Sequence, residues 1–148
     1  MATKQTFHGF ATVSFFADDM QAAKQWYTAL FGVEPYFQRP EDGDPAYLEW
    51  RIGDYQHEFG IVNSKFLPGG GGSVQPGGAI LYWHVDDLEG TLERLKSMGA
   101  QDHLPITPRG AGFITASVID PFGNILGIMT NPHYMEVLNK DKKLDVFA

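Results

Sequence analysis

The stretch Asp120-Pro121-Phe122-Gly123-Asn124 constrains this chain more than any other. Proline presets φ and Gly123 tolerates positive φ, so the segment is built to turn. Apolar runs flank it, Ala116 to Ile119 before and Ile125 to Met129 after. Together they predict a β-hairpin that closes the folded core. The second strand carries Gly127 in mid-run, where glycine marks a bulge or a close approach. Phe59-Gly60-Ile61 echoes Leu126-Gly127-Ile128. One module used twice is the simplest account of that echo.

The first module reads as follows. Phe10 to Phe16 is β-branched and aromatic, a strand. Asp18 and Asp19 both stand where a helix N-cap belongs. Met20, Ala23, Tyr27 and Leu30 follow at helical spacing, widened by Trp26 and Phe31, and Gly32 stops the helix. Val33 to Gln38, Tyr47 to Ile52 and Gln56 to Val62 are predicted strands, with a Pro/Gly/Asp loop from Pro40 to Pro45. After the Gly/Pro-rich run the plan restarts: strand Ala79 to Val85, helix start at Asp86-Asp87, and an apolar stripe of Leu88, Leu92, Leu95 and Met98 closed by Gly99. Glu89, three residues past Asp86, permits a capping box. A short strand Ala100 to Leu104, a loop Pro105 to Gly112 and the closing hairpin complete it.

The expected organisation is an N-terminal extension (1–9), a βαβββ module (10–62), a linker (63–78), a second βαβββ module (79–130) and a tail (131–148) with a short helix over His133 to Leu138. The linker is glycine-rich but leads into a strand and lacks Lys-Ser/Thr, so it is no phosphate loop. It could serve as a flap over a pocket.

Composition excludes several classes. At 148 residues and 43% hydrophobic, the chain suits one compact domain and is not disordered. Its net charge of -7 disfavours nucleic acid and acidic membrane surfaces. It has no cysteine, hence no disulfide, thiolate metal site or cysteine nucleophile. No apolar run approaches membrane-spanning length, and a cytoplasmic location is expected.

Two βαβββ modules, with Asp19-Met20, Trp26-Tyr27 and Phe31-Gly32 in the first, Val85-Asp86 and Gly99 in the second, and Asp120-Pro121-Phe122-Gly123 before the last strand, resemble the vicinal oxygen chelate superfamily. That superfamily groups glyoxalase I, bleomycin-resistance proteins and extradiol dioxygenases. The resemblance implies an α+β fold whose two modules form a curved mixed sheet around a cleft, helices on the outer face. It also implies a homodimer, and a ligand in the cleft. In metal-dependent members four strand positions supply ligands. Here they fall on Thr12, Gly60, Ile80 and Gly127. Glycine and isoleucine offer no donor and neutral threonine is a poor one. The expectation is therefore no bound divalent metal and no cofactor.

By strand alternation, Thr12, Ser14, Phe16, Glu58, Gly60, Val62, Ile80, Tyr82, His84, Ile125, Gly127 and Met129 share the cleft face. Val13, Phe15, Phe59, Ile61, Leu81, Trp83, Leu126 and Ile128 face the helices. The two glycines would leave room where relatives carry ligating side chains. His84 is either an acid/base group or a strand-end histidine bonded to backbone or to Asp86. Glu58 is a base or a solvated carboxylate. Trp50 and Tyr47 either stack a planar ligand or belong to the core. Arg109, in its expected loop, could grip an anion. Three functions follow as expectations. The first is a metal-free protein binding a small, partly aromatic molecule. The second is a lyase or isomerase acting through His84, Glu58 or Tyr82. The third is a metal enzyme with displaced ligands, drawing on His8, His57, His84 and Glu58.

Overall fold

The structure, a computed structural model, describes residues 6–67 and 76–146, with side chains to position 142. The chain divides into two compact units, residues 1–66 and 67–148. Each is a four-stranded mixed sheet with its helix, which is the α+β class expected. The Gly/Pro-rich run expected as a flap lies largely outside the described residues.

Unit one contains β1 (Thr12–Ala17), α1 (Met20–Phe31), β2 (Phe37–Arg39), β3 (Tyr47–Ile52) and β4 (His57–Asn63), in sheet order β1-β4-β3-β2. β1 runs parallel to β4, and the other pairs are antiparallel. α1 forms because apolar residues recur on one face and both ends are capped. The Asp19 carboxylate accepts the Ala22 N–H at 3.0 Å, and Gly32 closes the helix at φ 76°. Asp18 does not cap, because it accepts the Ser64 hydroxyl just past β4. Beneath α1 lies an aromatic core. Phe59 is ringed by Phe15 at 5.0 Å, Tyr27 at 5.1 Å and Phe31 at 5.3 Å between centroids. Such pairs add about 0.5–1.5 kcal/mol beyond area burial.

Unit two repeats the plan with β5 (Leu81–His84), α2 (Leu88–Ser97), β6 (Gln101–Gly110), β7 (Phe113–Ile119) and β8 (Ile125–Thr130), in order β5-β8-β7-β6, then α3 (Pro132–Val146). β5 and β8 are parallel. Asp87, not Asp86, caps α2 by accepting the Gly90 N–H at 3.0 Å. The third helical residue is then Gly90, so the capping box with Glu89 does not form. In the hairpin turn, buried Asp120 accepts the N–H groups of Phe122 and Asn124 at 2.9 and 2.8 Å and the Asn124 amide at 2.9 Å.

Several expected boundaries shift. β1 starts at Thr12, where pairing with Glu58 begins, and Phe10 is 99% exposed. β2 shrinks to three residues, and ahead of it the Val33 carbonyl is taken by the Trp50 indole rather than by a strand neighbour. β6 replaces the expected loop over 105–110. It is an edge strand with three register irregularities, the setting in which Pro105 and Pro108 are tolerated. α3 runs to fifteen residues rather than the short helix expected over His133 to Leu138. No helix of the described residues is long and apolar enough to cross a membrane.

Candidate functional site

In each sheet one face packs under the helix and the other turns away from it. The register defines this far face. In unit one it carries Thr12, Ser14 and Phe16 from β1, opposite Glu58, Gly60 and Val62 of β4. Beyond them stand Arg51, Glu49 and Tyr47 of β3. The parity of the sequence reading holds, and several expected site residues meet there. The Thr12 hydroxyl donates to Glu58 Oε2 at 2.7 Å.

Trp50 belongs to the opposite face. It is 0% exposed, its indole N–H donates to the Val33 carbonyl at 3.0 Å, and its ring packs on Phe31 at 5.9 Å. Of its two readings, stacking residue or core, Trp50 is core. Its register partner is Phe59, a core residue, which fixes its side of the sheet.

The space expected beside Gly60 is filled. A Cβ there would lie 2.6 Å from the Tyr47 hydroxyl and 3.0 Å from Tyr47 Cε1. The same holds beside Gly127, where a Cβ would meet Tyr82 Cδ1 at 2.6 Å and the Leu81 carbonyl at 2.8 Å. In each unit, therefore, a tyrosine from a neighbouring strand lies against the strand glycine.

Glu49, which the sequence reading passed over, is the hub of the first far face. Both Tyr36 and Tyr47 donate their hydroxyls to it, Tyr47 at 2.6 Å. The Arg51 guanidinium sits 4.6 Å over the Tyr36 ring. Desolvation, then repulsion from Glu58, pushes the Glu49 carboxyl above its ordinary range, and Arg51 partly opposes this. The same two causes raise the Tyr47 phenol and keep it protonated. The usable signal was alternation. Tyr47, Glu49 and Arg51 interleave with Leu48, Trp50 and Ile52, and the apolar set takes the core.

In unit two the far face carries Tyr82 and His84, paired with Gly127 and Met129, then Ser117 and Thr115 of β7. His84 is the backbone-bonded strand-end histidine. Its Nδ1 accepts the Asn131 N–H at 3.0 Å, Nε2 lies 3.7 Å from Asp86, and Tyr134 stacks on the ring at 5.4 Å. Arg109 lies in β6 rather than a loop, and its Nε donates to the Thr115 hydroxyl at 3.0 Å. His103, also unremarked in the sequence, bonds Ser117 at 2.8 Å. Ile80 precedes β5 and is half-buried. Among the described residues no three His, Asp or Glu side chains gather closely enough to hold a metal ion.

Residues 9–128 match the model of the Glyoxalase/Bleomycin resistance protein/Dioxygenase superfamily, and the chain belongs to it. Its fold is shared with a glyoxalase-related enzyme from Fulvimarina pelagi: TM-score 0.67, 23% identity, 85% of this chain and 90% of that one. TioX from Micromonospora sp. ML1 aligns with TM-score 0.62 at 16% identity, over 82% and 98% of the two chains. Lactoylglutathione lyase from Agrobacterium tumefaciens aligns with TM-score 0.61 at 17% identity, over 85% and 96%. Among curated proteins none matches the chain.

Proposed function

We propose that this chain is a binding member of its superfamily, holding a small, partly aromatic organic molecule without a protein-bound divalent metal. One observation carries the reading. At two of the four positions where the resemblance places metal ligands stands a glycine whose side-chain direction is taken by a tyrosine, Tyr47 at Gly60 and Tyr82 at Gly127. A ligating side chain at either position would have to displace that ring. Of the other two, Thr12 is engaged with Glu58 and Ile80 has no donor atom. These residues do not suit a divalent metal.

What replaces the ligands is aromatic and hydrogen-bonding. In unit one Tyr47 offers a ring, Ser14 and Glu58 polar contacts and Phe16 an apolar one; in unit two Tyr82 offers a ring, Arg109 a polar contact and Met129 an apolar one. That mixture suits a small organic ligand. The homodimer and cytoplasmic location belong to the same reading. Calorimetric titration with planar aromatic compounds tests it, alongside elemental analysis of purified protein. Stoichiometric binding weakened by Tyr47→Ala or Tyr82→Ala is expected. One tightly held equivalent of divalent metal, or a broad panel with no binder, overturns it.

A second reading has its own support. Glu49 is a carboxylate with raised proton affinity held between two phenols, the make-up of an acid–base group. A lyase or isomerase would use it with Glu58 close by. Turnover of a bound compound, abolished by Glu49→Gln with binding intact, would replace sequestration with catalysis.

A further inference from the structure

We propose that His84 is a protonation-sensitive latch that fastens the start of α3 to the end of β5. The latch does not depend on the identity of any ligand. The backbone N–H of Asn131 donates to His84 Nδ1 at 3.0 Å, so that nitrogen carries a lone pair and no proton. In the neutral ring the proton sits on Nε2, the nitrogen near Asp86. Asn131 is also where α3 begins. Its side-chain oxygen accepts the Tyr134 N–H at 2.9 Å and its carbonyl accepts the Met135 N–H at 3.3 Å. One imidazole nitrogen thus anchors the residue that organises the first helical turn.

Protonation removes the anchor whichever way the ring turns, because both nitrogens of an imidazolium are donors and neither can accept the Asn131 N–H. The groups around the ring fix which partner moves. Asp86, in the loop after β5, is the charged neighbour, its carboxylate 3.7 Å from Nε2. The Tyr134 ring, stacked at an interplanar angle of 16°, accommodates a cation. On β8 the register partner Met129 is uncharged. Further along the row, Thr115 of β7 is engaged by Arg109 of β6. The ring therefore stays at the strand end, its side chain only 11% exposed, and the chain at Asn131 shifts away. The fastened form excludes a proton that the released form binds, so fastening weakens as pH falls.

Backbone amide exchange at Asn131, Tyr134 and Met135 tests this, compared at about pH 8 and about pH 5, the span over which histidines change charge, with the intrinsic pH dependence removed. Protection should fall by several-fold to about tenfold in acid, the worth of one hydrogen bond, while β7 amides hold. His84→Asn keeps an acceptor oxygen that does not titrate, so its protection should be the same at both pH values. Equal protection of the wild type at both, or an equal acid loss in His84→Asn, overturns the latch. Should that variant not fold, imidazole nitrogen shifts of the wild type decide. A proton on Nδ1 at high pH overturns the proposal. A proton on Nε2, with the Asn131 amide shift following the ring's titration, supports it.

Discussion

The Tyr47 hydroxyl stands 2.6 Å from where a β-carbon on Gly60 would lie, so the ring and the glycine occupy one site between them. Gly60→Ala forces the ring aside. The ring's far end can give, and a cost near the lower end of the ~1–3 kcal/mol typical of overpacking is expected. Gly127→Ala meets the Leu81 carbonyl at 2.8 Å as well as Tyr82, and backbone yields less readily. It should cost more than Gly60→Ala in urea unfolding. Equal costs would mean that β5 moves as easily as a side chain.

Glu49 ties stability to pH in an unusual direction. Its carboxyl is raised above the ordinary 4.5 by desolvation and by Glu58, so the folded protein holds that proton more tightly than the unfolded chain. Its contribution is present below 4.5 and is lost as pH rises through the folded-state value. Glu58→Gln removes the shared repulsion. The Glu49 midpoint, followed by carboxyl-carbon NMR, and the Tyr47 phenol midpoint should both move down. Midpoints that stay in place would separate Glu58 from the pair.

Asp120 is 3% exposed and holds the hairpin turn through two backbone N–H groups and the Asn124 amide. Asp120→Ala leaves those donors short of an acceptor and should cost about 3 kcal/mol, since bonds to a charged group are worth about 1.5–3 each and buried donors are left unsatisfied. Chemical denaturation measures it. A loss under 1 kcal/mol would mean that water or another group takes over.

Adjacent aspartates at each helix start are unequal. Asp19→Ala and Asp87→Ala each lose a cap and should cost about 1 kcal/mol. Asp86→Ala loses no cap, and its effect should be confined to His84. Thermal unfolding of the single variants, with Asp86→Ala as the control for Asp87→Ala, distinguishes the roles.

The repeated plan is legible in the sequence because its punctuation is local. Asp19 and Asp87 cap within three residues, Gly32 and Gly99 end helices by positive φ, and period-two alternation assigns Phe59 and Leu126 to one side and Gly60 and Gly127 to the other. What escaped is set by partners distant in the chain. A glycine reads as vacancy until Tyr47, thirteen residues earlier, is seen against it. His84 finds its donor forty-seven residues on. Trp50 is ambiguous as a letter and unambiguous once paired with Phe59. Pro105 and Pro108 read as loop because proline in a central strand would be forbidden, and nothing local reveals that β6 lies outermost.

That outermost strand has a consequence for solubility. Ten residues of backbone at a sheet margin invite another chain to add on, yet two of these positions have no amide hydrogen to give and the pairing slips in three places. An incoming strand would meet a broken ladder and a changing twist. The irregularities of β6 thus make this margin a poor seed for runaway sheet growth.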